Sequence, residues 1–296
     1  MRKAFLQLHV SILLAGFTGI LGKIITLNEG LLVWYRMLIS LAVLLLLLPF
    51  GLLKGGLPLR PFFGRLRMGM MGAGTLLALH WIFFFGSIKA SNVSIGVVCF
   101  SLTSLFTALL EPPLNGRRIS AKEVLFSLIP LCGILLIFHF DVRYRLGILL
   151  GIASALLAAL FTVVNKKVGK NSAAPAMLLY EMAGGCLSLG LLMPLYLHYF
   201  PVASLLPGAA DFLWLLIFAV GCTVLLYLLQ IEALKSLSAF TLNLSYNLEP
   251  VYSILLAMLF LGEAKALHAT FYVGLGLILL SVLLQTAGMW RARGKN

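Results

Sequence analysis

The chain has 296 residues, of which 61% are hydrophobic and only 10% are charged. Soluble domains carry about 25% charged residues, so this composition excludes an ordinary soluble protein and indicates one that lies in a lipid bilayer. The net charge of +13 does not indicate nucleic-acid binding, because the basic residues fall in short loops between apolar runs. Those runs are continuous rather than alternating, which excludes a β-barrel and predicts an all-α membrane protein.

Ten apolar runs are long enough to form transmembrane helices, since about 20 apolar residues cross the hydrocarbon core of a bilayer. The first run follows Met1-Arg2-Lys3 and is too long for the apolar region of a secretory signal peptide, so we expect it to be retained as a span. In chain order the predicted spans are 5–26, 31–51, 66–88, 92–114, 123–140, 146–166, 175–198, 212–234, 238–261 and 267–289.

The distribution of Lys and Arg predicts the orientation of these spans. With a cytoplasmic N-terminus, sixteen of the 22 basic residues fall on the cytoplasmic side and five on the opposite side, while Arg36 lies within the second span. Cytoplasmic loops of membrane proteins carry such an excess of positive charge, so both termini are predicted to be cytoplasmic. We therefore expect a multi-pass protein of the cytoplasmic (inner) membrane, as a monomer or a weak homo-oligomer.

Cysteine and histidine usage argues against a metal or disulfide site. The four cysteines lie inside apolar runs without a CxxC pair, and the five histidines are scattered along the chain. The glycines do not form a phosphate-binding loop, because no predicted strand precedes them and no lysine follows at the required spacing. We expect neither a metal nor a cofactor, and no direct use of ATP by this chain.

The two halves of the sequence resemble each other at a nearly constant offset of 144–146 residues. Trp81 aligns with Tyr227, and each half holds five predicted spans. An odd number of spans makes the second copy enter the membrane from the opposite side, as in the inverted repeats of secondary transporters. The predicted domains are therefore 1–142 and 143–296. Further aligned segments are Lys89 with Lys235, Phe17-Thr18 with Phe161-Thr162, and Tyr35-Arg36-Met37 with Tyr180-Glu181-Met182.

Small residues recur every four positions in the sixth predicted span, at Gly147, Gly151, Ala155 and Ala159. This spacing places them on one helix face, and small residues on a common face let the backbones of neighbouring membrane helices approach closely. We interpret the row as a helix-packing seam rather than a ligand site.

Several short segments carry a resemblance to a known family. They are Gly16-Phe17-Thr18-Gly19 in the first span, Arg36 early in the second, an aromatic-rich third span, and Asn247-Leu248-Glu249-Pro250 and Leu261-Gly262-Glu263 in the ninth. On these segments the chain resembles the drug/metabolite transporter superfamily in its ten-helix EamA-like branch. The resemblance implies a secondary transporter that exports amino acids or related compounds. One departure is that the fourth span ends in Gly116-Arg117, where the ninth ends in Gly262-Glu263.

Glu249 is the acid that lies deepest in a predicted span. An ionisable side chain in hydrocarbon costs several kcal/mol, so such residues are usually functional. Pro250 follows it and removes one backbone hydrogen bond, while Asn243, Tyr246 and Asn247 make the preceding turns polar. The sequence predicts a substrate-contacting or protonatable carboxylate. The alternative is an acid that only packs helices together and is satisfied by neighbouring hydroxyl and amide groups.

Aromatic and polar side chains in the third and eighth spans predict a cavity wall. His80 and Trp81 lie near the middle of the third span, and Gln230 shares a helix face with Tyr227 in the eighth. Aromatic rings with polar tips suit amphipathic or cationic metabolites. The alternative is ordinary aromatic packing within a helix bundle.

Three further charged residues have two interpretations each. Glu181 and Glu232 lie one to two turns inside the cytoplasmic face, where they are either gate or proton-coupling carboxylates or members of ion pairs with Lys167 and Lys235. Arg36 lies at the corresponding depth on the external side. It either attracts an anionic group of the substrate or pairs with Glu29.

Together these patterns predict a carrier that works by alternating access, with a small-molecule substrate and the lipid bilayer as its partners. Proton coupling through Glu249, Glu181 or Glu232 is one expectation, and facilitated exchange is the other. A channel lacks support because no repeated filter element is evident. An intramembrane enzyme lacks support because His80 is the only deep histidine and no second ligand accompanies it. A structural membrane protein is the remaining alternative.

Overall fold

The computed structural model describes residues 2–47, 64–121, 123–125, 127–129, 131–132, 144–169, 172–262, 269, 272–277 and 279–280. Eight helical stretches in this part of the chain are long and apolar enough to cross a membrane. They coincide with eight of the ten predicted spans. The predicted fifth and tenth spans, 123–140 and 267–289, lie largely outside the described residues. The all-α fold class is confirmed for the described part, where every regular element is helical.

The first half of the bundle contains α1 (Arg2–Gly16), α2 (Thr18–Ile24), α3 (Glu29–Leu47), α4 (Arg65–Ala90), α5 (Val93–Phe100) and α6 (Thr103–Leu114). The second half contains α7 (Arg145–Gly169), α8 (Ala174–Tyr199), α9 (Ala209–Ala219), a π-helical turn (Val220–Leu225), α10 (Leu226–Ser236), α11 (Ala239–Tyr246) and α12 (Glu249–Leu261). The most extensive contacts join α4 to α7 and to α8, followed by α1 with α10 and α3 with α8.

Several of the spans are interrupted near their middle rather than continuous. α1 and α2 are separated at Phe17, α5 and α6 at Ser101 and Leu102, and α11 and α12 at Asn247 and Leu248. Proline explains the last interruption, because Pro250 in the first turn of α12 cannot donate a backbone hydrogen bond to the preceding turn. Such breaks are tolerated at membrane depth only where the freed backbone groups are buried in protein or line a cavity.

Glycines allow the helices at the centre of the bundle to touch backbone to backbone. A Cβ atom added to Gly74 of α4 would lie 1.9 Å from the carbonyl O of Glu181 in α8, and one added to Gly184 would lie 2.3 Å from the carbonyl O of Met71. The small-residue seam of α7 is also confirmed. Added Cβ atoms at Gly147 and Gly151 would fall within 2.6 Å of side chains that belong to Ser91 and Cys99.

Replacement of Gly74 by alanine tests this close contact, with Gly72→Ala on the same helix as the control. An added methyl group at Gly74 must push α4 away from α8, and overpacking of this kind costs roughly 1–3 kcal/mol. Gly72 has no atom within 4 Å of an added Cβ, so Gly72→Ala should leave stability unchanged or raise it slightly through helix propensity. Thermal unfolding of both variants in detergent measures the difference. Equal midpoints would contradict the contact.

Candidate functional site

A narrow cavity of about 50 Å³ lies at the centre of the bundle, where the interrupted helices meet. Seven of the residues predicted from the sequence line it, together with aromatic and small residues from α1, α2, α4, α5, α7, α10 and α11. The predicted lining residues are Arg36, His80, Trp81, Tyr227, Gln230, Tyr246 and Glu249. We call this space the central cavity. Asn247 does not line it, because its Nδ2 donates to Ser104 Oγ of α6 at 3.3 Å.

Arg36 is held against the cavity by aromatic faces and by the distorted span opposite. Its guanidinium carbon lies 3.6 Å from the ring centroid of Trp81 and 3.9 Å from that of Phe218. Its Nε donates to Thr223 Oγ1 and its Nη2 to the carbonyl O of Cys222, both at 2.7 Å. Nη1 is buried without a hydrogen-bond partner. The guanidinium is therefore held by two aromatic rings and two hydrogen bonds, while Nη1 remains available as a hydrogen-bond donor.

The alternative partner for Arg36 is excluded by the structure. Glu29 accepts a hydrogen bond from the hydroxyl of Tyr196 at 2.8 Å instead. No carboxylate in the described part of the chain lies within ion-pair distance of Arg36. A permanently charged group that is buried within a membrane span thus lacks an anionic partner among the described residues.

Glu249 lies on another wall of the central cavity and is only 4% exposed. It occupies the first turn of α12, where the positive end of the helix dipole favours a negative charge. No hydrogen bond or ion pair joins its carboxylate to the described residues. The cavity therefore presents one cationic and one acidic side chain, each with unused hydrogen-bonding capacity.

Aromatic rings line the same cavity as these groups. Trp81 Nε1 donates to the hydroxyl of Tyr227 at 3.2 Å, and the two rings meet edge to face with centroids 5.6 Å apart. Phe161 of α7 packs edge to face on Tyr227 at 6.1 Å. Trp81 and Tyr227, which align in the internal repeat, thus contact each other at the centre of the bundle.

His80 also reaches the cavity, but its ring nitrogen is already engaged. Nδ1 lies 2.8 Å from Ser154 Oγ and 3.0 Å from the Ser154 carbonyl O. The ring packs beside Phe100 with centroids 5.3 Å apart. These contacts tie α4 to α7 and leave His80 less free than Arg36 or Glu249 to bind a ligand.

Polar side-chain contacts join α6 to α11, and these contacts were not predicted from the sequence. Asn243 Nδ2 donates to Thr107 Oγ1 at 2.8 Å, and Thr162 Oγ1 of α7 donates to Asn243 Oδ1 at 3.3 Å. Glu111 accepts the backbone N–H groups of Ala239 and Phe240 at the start of α11, at 3.3 and 2.9 Å. No local sequence pattern identified Glu111, because the N–H groups that it accepts lie on a helix far along the chain.

A wider opening of about 420 Å³, which we call the vestibule, lies between the ends of α6, α7 and α10. This is the end of the bundle that the charge pattern predicts to be cytoplasmic. Its lining includes Glu111, Arg117, Asn165, Lys166, Lys167 and Lys235. Thr162 in the central cavity and Asn165 in the vestibule are about one helical turn apart on α7. The partition between the two spaces is therefore thin.

Polar contacts join the helices at the opposite end of the bundle. Asp211 at the start of α9 accepts hydrogen bonds from the N–H and hydroxyl of Thr26, at 3.0 and 2.7 Å. Lys23 Nζ donates to the carbonyl O of Ile88 at 3.4 Å, and Lys89 donates to the carbonyl O of Leu27. These contacts fasten the loop between α2 and α3 to α4 and α9.

The two acids predicted near the cytoplasmic face have different surroundings. Glu181 is completely buried on α8, and Asn165 Nδ2 donates to its Oε1 at 2.7 Å, so the alternative of an ion pair with lysine is not seen among the described residues. The side chain of Glu232 is 42% exposed and makes an ion pair with Lys235 at 2.7 Å. Neither acid lines the central cavity.

Comparison with known proteins decides the family. The model of the EamA-like transporter family matches residues 2–139 and 145–287. The chain belongs to the EamA-like transporter family. This EamA-like protein is 26% identical over 216 residues to the uncharacterized transporter YxxF of Bacillus subtilis (strain 168), across 71% of this chain and 66% of that protein, just under two thirds of its length.

The fold has also been seen in a solved structure. A protein crystal structure matches with a TM-score of 0.69 at 20% sequence identity and covers 99% of both chains. At this identity the likeness concerns the fold alone. The family and the transporter-named relative point to a membrane transporter rather than an enzyme.

Truncation of Glu111 tests whether its contacts hold α11 in place. Glu111→Ala leaves the buried N–H of Ala239 and the part-buried N–H of Phe240 without this acceptor, and hydrogen bonds to charged groups contribute about 1.5–3 kcal/mol each. Glu232→Ala is the matched control, because it removes only a surface ion pair worth at most about 1 kcal/mol. Thermal unfolding in detergent should show a clearly larger loss for Glu111→Ala. Equal losses would show that the cap does not stabilise the bundle.

Proposed function

We propose that this protein is an alternating-access carrier that exports small zwitterionic metabolites such as amino acids across the cytoplasmic membrane. The observation that carries the proposal is the central cavity itself. The Arg36 guanidinium and the Glu249 carboxylate, both with unused hydrogen-bonding capacity among the described residues, line one small space together with aromatic rings. The proposal includes two inverted five-helix units, 1–142 and 143–296, with the substrate bound between them.

The charges of the cavity favour a ligand that has both signs. Arginine stays charged at any pH that a cell reaches, and its planar fork matches a carboxylate. Glu249 would hold the ammonium group of the same ligand. A zwitterion places an opposite charge against each side chain and adds no net charge to the interior of the membrane, where an uncompensated charge costs several kcal/mol.

The aromatic rings of the cavity favour a substrate whose own side chain is flat or apolar. Trp81, Phe84, Phe161 and Tyr227 all line the cavity. Rings of this kind stack on aromatic groups and attract an ammonium group to their faces. Aromatic amino acids combine all three features, so L-phenylalanine is the probe that we choose.

The small volume of the cavity favours a transport mechanism in which the surrounding helices move. About 50 Å³ holds one or two water molecules, since each occupies about 30 Å³ in the liquid. An amino acid enters only if the surrounding helices separate. The interrupted spans and the π-helical turn of Val220–Leu225 flank the cavity, and such irregularities often mark places where helices move. The thin partition towards the vestibule supports loading from the predicted cytoplasmic end.

Structural landmarks recur at a fixed offset and support the inverted repeat. Asn92 and Ser238 are both N-caps whose side chains accept a backbone N–H three residues on. Among the described residues, the glycines with a positive φ are Gly116 and Gly262, both at 66°. Each pair is 146 residues apart, as are the interruptions after Phe100 and Tyr246 and the hydrogen-bonded pair Trp81 and Tyr227. Four unrelated features at one spacing favour duplication over coincidence.

Counterflow into sealed vesicles tests the proposal. Vesicles that contain purified protein and unlabelled L-phenylalanine should accumulate labelled L-phenylalanine with saturable kinetics. Arg36→Met and Glu249→Gln each remove one charge partner of the ligand, and loss of about 1.5–3 kcal/mol should lower the rate at subsaturating substrate roughly ten- to hundredfold.

The control for this experiment is Glu232→Gln, which changes an exposed acid away from the cavity and should transport normally. All variants must first elute as intact protein from a sizing column. Unsaturable flux would indicate a channel instead. Normal counterflow in both Arg36→Met and Glu249→Gln would exclude the cavity as the binding site.

A further inference from the structure

Glu181 is a buried acid outside the central cavity whose hydrogen bonds are incomplete. Its residue exposure is 0%, and its Oε1 accepts only the Nδ2–H of Asn165, at 2.7 Å. Its Oε2 has no hydrogen-bond partner, and neither does Asn165 Oδ1. Two buried oxygen atoms thus lie unused in one place, on facing sides of α7 and α8.

The groups around Glu181 do not neutralise a carboxylate. From α10, Tyr227 is the titratable side chain that interacts electrostatically with it. From α4, Arg67 lies 5.7 Å from the ring centroid of the adjacent Tyr180. From α3, Arg36 is turned towards Cys222 and Thr223, and α7 contributes the neutral Asn165. Arg36 is not in an ion pair with Glu181 within the described part of the chain.

We infer that Glu181 carries a proton in this conformation, in which it is buried behind Asn165, and exchanges it through the vestibule, with Asn165 as its positioning residue. The inference rests on the proposed carrier function. A buried carboxylate without a counter-ion is strongly disfavoured, whereas a neutral carboxyl group requires only local hydrogen bonds. A proton fits better than a metal ion, because no group of three or more His, Cys, Asp or Glu side chains in the described residues could hold a metal.

Asn165 connects the buried acid to water. It lines the vestibule, whereas Glu181 lies behind it and lines neither space. When the Asn165 side chain moves aside, the O–H bond at Glu181 Oε2 can break and the proton passes to a water molecule of the vestibule. The carboxylate that remains is then attracted by the basic lining, which includes Arg117 and Lys167.

This arrangement separates two acidic roles. Glu249 faces the substrate space, and Glu181 faces the route to the predicted cytoplasmic solvent. The conformation in which Glu181 is buried stabilises only its neutral carboxyl group. A conformation in which Glu181 is exposed to the vestibule stabilises the carboxylate. Proton release at this residue therefore favours the vestibule-open conformation, and proton binding favours closure. Such a difference links the protonation of Glu181 to the equilibrium between the two conformations. Coupling to a proton gradient further requires that Glu181 exchanges its proton with the opposite side of the membrane in the other conformation.

Infrared spectroscopy of the purified protein in lipid vesicles at neutral pH tests the protonation directly, without any substrate. The band of a protonated carboxyl group should be present in the wild type, persist in Glu249→Gln and lose intensity in Glu181→Gln. Asn165→Ala removes the hydrogen bond to Oε1, so it should keep the band and shift its frequency. An unchanged spectrum in Glu181→Gln, or an unshifted band in Asn165→Ala, would overturn the inference.

Transport under an imposed pH gradient tests the coupling. Wild-type vesicles should accumulate L-phenylalanine against its gradient, and Glu181→Gln should lose this accumulation together with the pH dependence of counterflow. Glu232→Gln is the matched acid control and should behave as wild type. Wild-type protein without any L-phenylalanine counterflow would count against the proposed function, while the infrared result would still decide the protonation of Glu181. Gradient-driven accumulation that survives in Glu181→Gln would overturn the coupling role.

Discussion

A guanidinium that cannot lose its charge sits in the apolar middle of this bundle, and the surrounding helices are shaped to hold it. Arg36 is clasped between the faces of Trp81 and Phe218. Its Nη2 donates a hydrogen bond to the carbonyl O of Cys222. Cys222 lies in the π-helical turn, where the regular helical hydrogen-bond pattern is displaced. The position of the Arg36 charge thus depends on both the aromatic rings and the distorted backbone. A ligand with a carboxylate would complete the set.

Close helix packing and interrupted helices have complementary roles around this charge. Gly74 and Gly184 bring the backbones of α4 and α8 into contact and make that pair a firm part of the bundle. The spans that contain Phe17, Ser101 and Asn247 are interrupted near the cavity. In the carrier that we propose, substrate access would come from movement of these interrupted helices around the tightly packed pair.

Sequence patterns predicted most of the fold and much of the candidate site because polar residues are conspicuous in apolar runs. Glu249 and Trp81 stood out for that reason, and the internal offset paired Trp81 with Tyr227 before any contact was known. Long-range partners could not be predicted this way. The Asn165 partner of Glu181 and the reach of Glu111 to the start of α11 depend on how helices are rotated in three dimensions, which local spacing does not specify.

The central claim is that the cavity recognises both charges of a zwitterion. Calorimetric binding of L-phenylalanine, phenethylamine and 3-phenylpropionate to the purified protein tests it most directly, because the last two compounds each lack one charged group. The account predicts that L-phenylalanine binds most tightly and that Arg36→Met removes its advantage over phenethylamine, while Glu249→Gln removes its advantage over 3-phenylpropionate. Equal affinity for all three compounds in the wild type would contradict it.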